Sequence, residues 1–236
     1  MSPKRAEQSP SGPGAVWLRE RRQGTRTPAL SIERITAAAV RILDEDGQSG
    51  LSMRKLADAL GVHATSLYWH VANRDDLLDL ALDAVFGEVE APRKDPGLWQ
   101  ADIAAYMTGL REALLRHPWA GALASARPLM GPHALDHAES VQAALVRAGF
   151  SGTALTAAAA AISNYVIGSV AAEASWGRHD QSTARRALTD HVQSAALRYP
   201  TLAAHPPTPY SDWQTHFEHG MRFLIAGLTA SAGTSG

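Results

Sequence analysis

The chain has 236 residues, of which 45% are hydrophobic and 19% are charged, and it contains no cysteine. This composition supplies ample apolar surface for a folded core, and it excludes a disulfide-bonded scaffold and a thiolate metal site. The formal net charge of −1 argues against a protein that coats nucleic acid without specificity. Because the start is polar and the later apolar stretches are interrupted, we expect a soluble cytoplasmic protein without a signal peptide or membrane span.

A basic segment opens the chain. Residues 1–26 contain six lysine or arginine residues and two glutamates, which is a local excess of four positive charges. We expect this segment to be a flexible N-terminal arm in which Arg21, Arg22 and Arg26 are candidate DNA contacts. The alternative is a disordered and solvated tail, since charge alone does not distinguish the two.

Two amphipathic helices are predicted after the arm. Ser31 is a candidate N-cap for the first helix, whose apolar residues recur at helical spacing until Gly47 supplies a stop. Ser52 can cap the second helix in the same way, and Gly61 then provides a turn residue capable of positive φ. Only a few residues separate this second helix from the next one.

The next two helices differ in length. The third is short and covers roughly residues 63–71, with apolar side chains spaced four residues apart to face the core. Asn73 is then a candidate cap for a long amphipathic run, which forms a connecting helix over residues 77–91. Together these features predict a three-helix helix-turn-helix domain over residues 27–76.

The second half of the chain has helical periodicity almost throughout and no convincing strand pattern. We therefore predict an all-α fold in which the helix-turn-helix domain is followed by a larger helical domain over residues 77–232. The predicted helical segments of that domain are 98–116, 134–148, 153–176, 183–198 and 212–231. Proline and glycine residues mark the connections between them.

The short third helix carries side chains that suit the major groove of DNA. Small and short polar side chains at its start can meet base edges and thymine methyl groups, and the candidates are Ala64, Thr65 and Ser66. Longer polar and aromatic side chains nearby can contact phosphates instead, namely Arg54, Lys55, Tyr68, His70 and Arg74. The amides that begin the helix capped by Asn73 can bind a further phosphate.

Tyr68 and Trp69 have a second interpretation, because aromatic residues more often lie in a core than at an interface. A helix-turn-helix shape alone would also leave the function open. Here the sequence resembles the tetracycline-repressor family over residues 31–82. The matching residues are Leu51–Ala57, Leu60–Val62, Leu67–Val71, Asn73, Arg74, Leu77 and Leu78.

The resemblance implies a repressor dimer whose helix-turn-helix domains bind a palindromic operator and whose larger domains bind an inducer. It also implies that a basic arm can lie in the minor groove. The family positions that contact or support DNA match Arg54, Ala64, Thr65, Ser66, Tyr68, Trp69, His70 and Arg74. Trp69 can be structural rather than a direct contact.

Similarity to the family continues more weakly through the larger domain. The matches are Trp99, Gln100, Ala113–Leu115, His117, Arg127, Pro128, Gly149 and Phe150. The polar groups with which tetracycline-binding members hold the magnesium-chelated drug are missing, since Leu123, Tyr106 and Glu90 occupy those positions. Tetracycline with magnesium is therefore a poor candidate, and we expect a largely apolar small-molecule inducer.

A ligand cavity walled by helices is expected in the larger domain. The candidate lining residues are Tyr106, Leu110, Leu123, Arg127, Met130, His137, Asn164, Tyr165, Gly168 and Trp176. The alternative for each is ordinary core packing or surface. Asn164 is singled out because an amide in an apolar helix needs a partner, which a ligand or a subunit interface could supply.

Metal binding and catalysis have little support. The pairs His133 with His137 and His216 with His219 each share a helical face, but a third ligand is lacking. No nucleophile elbow, phosphate loop or paired-carboxylate motif is present. We expect no enzymatic activity, no bound metal and no cofactor.

Small residues within the segments 153–176 and 212–231 would allow helices to approach closely. Family architecture implies that these two segments from each subunit form a four-helix dimer interface, although a buried pair within one chain is the alternative. The sequence is thus interpreted as a homodimeric, ligand-responsive repressor. A small-molecule-binding protein with a degenerate helix-turn-helix, or an activator on the same fold, are the competing interpretations.

Overall fold

The computed structural model describes residues 12–19, 30–90, 99–176, 181–205 and 212–232, and every regular element in these ranges is an α-helix. The all-α prediction is therefore confirmed. The helices are α1 (Ala15–Leu18), α2 (Ile32–Gly50), α3 (Met53–Leu60), α4 (Ala64–Leu67), α5 (Arg74–Phe86), α6 (Trp99–Arg116), α7 (Ala120–Ala126), α8 (Pro132–Arg147), α9 (Gly152–Trp176), α10 (Gln181–Ser194), α11 (Pro200–Ala204) and α12 (Trp213–Ala232).

The predicted caps fix the boundaries of the N-terminal helices. Ser31 Oγ accepts a hydrogen bond from the backbone N–H of Arg34 at 3.3 Å, and Ser52 Oγ accepts one from Lys55 at 3.1 Å. Each bond satisfies an amide that has no partner within its helix. Gly61 ends α3 in the left-handed region, at φ 67°, as its position predicted. A short turn therefore joins α3 to α4.

The glycine stop predicted at the end of the first helix is a kink. Gly47 has a φ of 67° inside the span of α2, and helical hydrogen bonding continues beyond it to Gly50. Upstream of the kink, Ile35, Ala39 and Ile42 are buried and pack against α3 and α5. The predicted apolar face of this helix is confirmed.

Helix α5 lies at the centre of the molecule and contacts both parts of the chain. It is capped as predicted, because Asn73 Oδ1 accepts a hydrogen bond from the backbone N–H of Asp76 at 3.0 Å. It packs against α2 in the N-terminal part and against α1, α6, α7 and α8 elsewhere. Three of its aspartates, Asp76, Asp79 and Asp83, are buried, and each is held by partners from other segments. The helix thus joins the helix-turn-helix to the larger domain.

The five helices predicted in the second half are all present, with ends that differ by up to four residues. Two short helices, α7 and α11, were not predicted. Helix α7 has seven residues and lies between Pro118 and Pro128. Because proline commonly interrupts helices, this segment had the sequence pattern of a connection. Its alanines nevertheless pack against α9. A short helix stabilised by tertiary packing gives little periodic signal in the sequence.

Helix α9 is the most apolar helix in the described part of the chain. Residues 152–175 are long and apolar enough to cross a membrane by length and composition alone: an 18-residue window within them has a mean hydropathy of 1.5, and 28% of that window is buried. The helix contacts α6, α7, α8 and α12 of its own chain. Its remaining apolar surface adjoins α12, on which Phe223 is 74% exposed. A single chain therefore leaves an extended apolar surface on these two helices.

Residues 12–19, which belong to the predicted flexible arm, pack against α5. The backbone N–H of Gly14 donates to Asp79 Oδ2 at 2.7 Å. Arg19 donates two hydrogen bonds to the carboxylate of Asp76, at 2.6 and 2.9 Å. This bidentate pair is well oriented, and the side chain of Asp76 is fully buried.

The expectation of a flexible arm is therefore wrong for residues 12–19, since buried contacts hold them in place. The arginines assigned to DNA in this arm, Arg21, Arg22 and Arg26, lie outside the described residues. Their contact with DNA stays a prediction.

Candidate nucleic-acid interface and ligand pocket

Helix α4 is the short third helix whose side chains suit the major groove, and we call it the recognition helix. Buried side chains hold it on one side, and its other side is exposed. Leu67 and Val71 are buried, as the spacing predicted. The helix is shorter than the predicted 63–71, because a turn begins at Tyr68 and His70 donates its backbone N–H to the carbonyl of Leu67 at 2.8 Å. This tight turn places the side chains of Tyr68, Trp69 and His70 at the surface.

The aromatic residues of this turn are exposed rather than buried. Tyr68 is 56% exposed and Trp69 is 69% exposed, and His70 and Thr65 are exposed beside them. The alternative interpretation of Tyr68 and Trp69 as core aromatics is therefore wrong. Large exposed aromatic side chains on an anchored helix are available to an external partner.

The remaining predicted DNA contacts surround the recognition helix. Arg54 and Lys55 are exposed on α3, and Ala64 and Ser66 are half-buried. Lys55 donates to Asp46 at 2.6 Å, but this surface pair is weak enough to exchange for a phosphate. These side chains could form one surface together with Tyr68.

Arg74 and Asn73 are partly committed to the protein itself. The guanidinium of Arg74 donates from Nε to the carbonyl of Leu51 at 2.9 Å, and it also donates to the carbonyl of Gln48. These bonds fix the connection between α2 and α3 to the start of α5. The phosphate contact predicted for Arg74 would have to use its remaining N–H groups. The side chain of Asn73 serves as the α5 cap.

A second group of contacts ties the larger domain to α5. Arg127 was a predicted ligand-lining residue, but its guanidinium forms ion pairs with Asp75 and with Asp79, the latter at 2.6 Å. Both Arg127 and Asp79 are almost fully buried at the side chain. Arg127 therefore holds the end of α7 against α5 and lines neither of the two cavities described below.

His117 connects the larger domain to the N-terminal helices. Its Nδ1 lies 2.8 Å from Asp44 on α2, and its Nε2 lies 3.0 Å from Glu88, just beyond α5. Trp119 Nε1 donates to the same Asp44 at 2.7 Å. The turn between α6 and α7 is thus bonded to both α2 and the end of α5. The sequence offered only a family match at His117, because these partners are distant along the chain.

A cavity of about 190 Å³ lies between α5, α6, α8 and α9. Tyr106 and Leu110, two of the candidate ligand residues, line it. The full lining is Phe86, Tyr106, Leu110, Leu129, Ala134, Ala138, Val141, Gln142, Ala159, Ala160, Ser163 and Ile167. None of these residues carries a charge. A concave site with apolar walls and a few polar groups is typical of a small-molecule pocket.

His137 and Tyr106 form the polar corner beside this cavity. The His137 Nε2–H donates to the backbone carbonyl of Phe86 at 2.9 Å, and the two rings of His137 and Tyr106 lie 5.4 Å apart. Burial raises the pKa of Tyr106 to about 12, so its hydroxyl is neutral at physiological pH. His137 contacts the wall residues Tyr106 and Phe86 but is not itself part of the lining.

Three other predicted ligand residues lie at a different place. Asn164, Tyr165 and Gly168 line a more open cavity of about 420 Å³ between α9 and α12. Tyr165 donates its hydroxyl to the carbonyl of Phe217 at 2.8 Å and stacks on the Phe217 ring. Asn164 is exposed, so the expectation of a buried amide is wrong: its helix face is uncovered in a single chain. This cavity opens on the apolar surface of α9 and α12.

Two further predicted ligand residues, Leu123 and Met130, line neither of the two cavities. Leu123 is buried in the core, and Met130 is half-buried near Gly14. The side chain of Trp176, at the end of α9, lies outside what the structure describes. In contrast, the sequence did not single out Gln142 and Ser163, because only the packing of α8 on α9 shows that both face one cavity.

No group of three or more His, Asp or Glu side chains within the described residues is placed to hold a metal ion. The two histidines of the α8 pair have separate protein partners: His133 bonds to Asp83, and His137 bonds to the carbonyl of Phe86.

Comparison with known protein families gives two adjacent matches. Residues 35–81 match the family described as "Bacterial regulatory proteins, tetR family". Residues 91–232 match the family described as "Tetracyclin repressor-like, C-terminal domain". Both families are those of regulators, and together they cover most of the chain.

Individual relatives agree with these matches. The chain is 53% identical over 225 residues to an HTH-type transcriptional regulator of Saccharopolyspora erythraea, covering 95% of each chain. It is 32% identical to the HTH-type transcriptional repressor DrrR1 of Streptomyces coeruleorubidus, covering 85% of this chain and 78% of the relative. The crystal structure of the Streptomyces coelicolor TetR family protein ActR in complex with actinorhodin superimposes with a TM-score of 0.79. Its identity is 32%, and the match covers 86% of this chain and 99% of ActR.

Proposed function

Because this chain belongs to the tetR family of bacterial regulatory proteins and is a helix-turn-helix transcriptional regulator, we propose that it is a repressor released from its operator by a small-molecule inducer. The main support for this proposal is the surface around Tyr68. There the recognition helix is held by buried Leu67 and is followed by exposed aromatic and polar side chains. A cytoplasmic location follows from this role.

We assign base contacts to the start of α4 and phosphate contacts to its surroundings. Thr65 is exposed at the first turn, where a short hydroxyl can bond to a base edge. Tyr68 and His70 extend from the following turn, and Arg54 and Lys55 extend from α3. Phosphate contacts by such side chains would fix the register and make affinity depend strongly on salt.

A homodimer would supply the second recognition helix. Two such helices about 34 to 36 Å apart can read half-sites one turn apart on a palindromic operator. The exposed apolar surface of α9 and α12, which includes Phe223, supports these helices as the dimer contact. Residues Asn164 and Tyr165 would then lie at or near the subunit interface.

The inducer would bind in the cavity between α5, α6, α8 and α9. Its uncharged lining favours a largely apolar molecule. The related ActR has been crystallised with actinorhodin, which supports a binding role for this domain in the present chain. Tetracycline with magnesium stays a poor candidate, since Tyr106 and Leu123 replace polar family groups.

Helix α5 would carry the signal from ligand to DNA. At its C-terminal end it contributes Phe86 to the cavity wall. At its N-terminal end Asp76 accepts a hydrogen bond, at 2.7 Å, from the backbone N–H of Ala72, which follows the turn after α4. Ion pairs from Arg19 and Arg127 hold its buried aspartates. A ligand that binds one position of α5 better than another would shift the balance between DNA-binding and released forms.

A gel-shift experiment with the DNA upstream of the chain's own gene tests the proposal. The repressor should retain that DNA sequence-specifically. Thr65→Ala and Tyr68→Ala should each weaken binding about 10-fold or more, since a good base contact is worth about 1 to 3 kcal/mol and a hydrogen bond to a charged phosphate about 1.5 to 3 kcal/mol. Leu135→Ala is the matched control, because Leu135 is exposed on α8 away from this surface. Binding by both variants at the parent's affinity would contradict the assignment of the interface. If the parent itself shows no sequence-specific binding, the chain is better explained as a small-molecule-binding protein with a degenerate helix-turn-helix.

A further inference from the structure

His137 has one ring nitrogen that is bonded and one that is not. Its Nε2 lies 2.9 Å from the carbonyl oxygen of Phe86, which can only accept, so Nε2 carries the hydrogen. In the neutral ring Nδ1 is then a hydrogen-bond acceptor. Nδ1 is buried and has no hydrogen-bond partner among the residues that the structure describes. Buried polar atoms are rarely left in this state, so the exception calls for a physical explanation.

The unpartnered nitrogen lies beside the cavity proposed for the inducer. The His137 ring centroid is 5.4 Å from that of Tyr106 and 6.3 Å from that of Phe86, and both of these residues line the cavity. On α8, Ala134 and Ala138 line the same cavity on either side of His137 in sequence. The His137 ring is therefore packed against two residues of the cavity wall.

Tyr106 supplies the complementary group. Its hydroxyl makes no hydrogen bond within the described residues, and burial alone raises its pKa to about 12. It is therefore a neutral donor at the cavity wall. A single ligand hydroxyl could satisfy both residues, by donating its hydrogen to Nδ1 of His137 and accepting one from the Tyr106 hydroxyl.

We propose that His137 and Tyr106 select the inducer, so that the cavity takes an uncharged aromatic molecule with a hydroxyl group that bonds to both side chains. This inference deepens the proposed function and rests on it. A cavity of about 150 Å³ in another protein binds benzene, so the present cavity, at about 190 Å³, has room for a somewhat larger aromatic molecule. Nδ1 is buried, so a ligand would reach it only if side chains packed around His137 moved on ligand entry.

The same histidine would also couple ligand binding to the position of α5. Its Nε2 holds the carbonyl of Phe86, which is the last residue of α5. A ligand that bonds to Nδ1 therefore acts on a ring that is already attached to α5. His137 is thus both a specificity-determining residue and a positioning residue for the end of that helix.

Two probes of almost equal size test this selectivity. 1-Naphthol carries the required hydroxyl, and 1-methylnaphthalene replaces it with a methyl group that cannot donate. Binding to the full chain is measured by titration of probe fluorescence. We expect 1-naphthol to bind at least 10-fold more tightly, although the methyl compound is the more hydrophobic of the two. Equal affinities, or no binding of 1-naphthol, would overturn the proposal.

Two substitutions separate the roles of the ring nitrogens. His137→Gln keeps a donor near the position of Nε2 but removes the acceptor at Nδ1, so the preference for 1-naphthol should fall to about 2-fold or less. His137→Asn keeps an acceptor near Nδ1 and should retain the preference. His191→Gln is the matched control, because His191 is exposed on α10. A preference that persists in His137→Gln would overturn the role of Nδ1, and circular dichroism establishes that each variant is folded.

Operator binding by the same preparations distinguishes this inference from the proposed function. If the parent retains its upstream DNA but prefers neither probe, the repressor assignment stands and the ligand class is wrong. If the parent prefers 1-naphthol in a His137-dependent way but binds no specific DNA, the ligand class stands and the repressor assignment is wrong.

Discussion

The ion pair between Arg127 and Asp79 gives the sharpest stability prediction. Arg127→Leu removes the cation and leaves the Asp79 carboxylate, which is 2% exposed at the side chain. Among the described residues, the backbone N–H of Gly14 is then its one remaining donor. Leaving one partner of a buried pair without its counter-charge typically lowers the free energy of unfolding by about 3 to 5 kcal/mol. Because the Gly14 bond survives, we expect a loss of about 3 kcal/mol, at the low end of that range.

Urea unfolding followed by circular dichroism, at one fixed chain concentration, measures this loss. The double variant Arg127→Leu with Asp79→Leu should recover a large part of it, since the buried charge is then absent. Lys55→Ala serves as the control, because its pair with Asp46 is exposed and should contribute less than about 1 kcal/mol. An Arg127→Leu variant within about 1 kcal/mol of the parent would refute the buried-pair argument.

Three further predictions concern the turn, the acid side of the stability profile and the cavity. Gly61→Ala should lower the free energy of unfolding by about 1 to 2 kcal/mol in urea titrations, because Gly61 has a φ of 67° and no atom crowds an added Cβ. Burial raises the pKa of Glu88, but hydrogen bonds from Arg116 and His117 outweigh this effect and hold it below the ordinary value of 4.5. Its stabilising contribution should be full above pH 4.5 and be lost as the pH falls through the lower folded pKa, so Glu88→Gln should flatten the acid side of a pH series of thermal melts. Ala159→Leu fills part of the cavity and should weaken 1-naphthol binding about 10-fold or more, which titration of probe fluorescence checks; unchanged affinity would place the probe elsewhere.

Local features of the sequence predicted the helix-turn-helix well. Ser31, Ser52 and Asn73 cap the helices that follow them, and each cap needs only a side chain three residues from its amide partner. The left-handed Gly61 is equally local. Because such interactions depend on short spacings, the sequence predicts these caps and this turn directly.

Long-range partners explain where the prediction was wrong. The position of residues 12–19 depends on a pair between Arg19 and Asp76, which are 57 residues apart. The positive charge of Arg19 indicated only that it belonged to the flexible basic arm predicted over residues 1–26. Likewise, the sequence predicts a ligand contact for Arg127, but in the structure its guanidinium pairs with Asp79, which is 48 residues away. No periodicity encodes such contacts.

The lining of the cavity between α5, α6, α8 and α9 is predicted only in part by the sequence, for a related reason. Tyr106 and Leu110 share a face of one predicted helix, so both were found. Gln142 and Ser163 come from different helices, and their convergence depends on how α8 packs on α9. Asn164 is next to Ser163 in sequence, yet a helix turns about 100° per residue and places it outside the cavity.

Fluorescence anisotropy across a salt series can show whether the surface around Tyr68 binds a specific operator, as we claim. A labelled duplex from the upstream region and a scrambled duplex of equal length would be titrated with the parent and with Tyr68→Ala. We expect the parent to bind the upstream duplex about 1,000-fold or more tightly than the scrambled one at physiological salt, with affinity falling steeply as salt rises. Tyr68→Ala should lose about 10-fold or more on the upstream duplex, because a hydrogen bond to a charged phosphate is worth about 1.5 to 3 kcal/mol. Equal affinity of the parent for both duplexes, or an unchanged affinity of Tyr68→Ala for the upstream one, would contradict the claim.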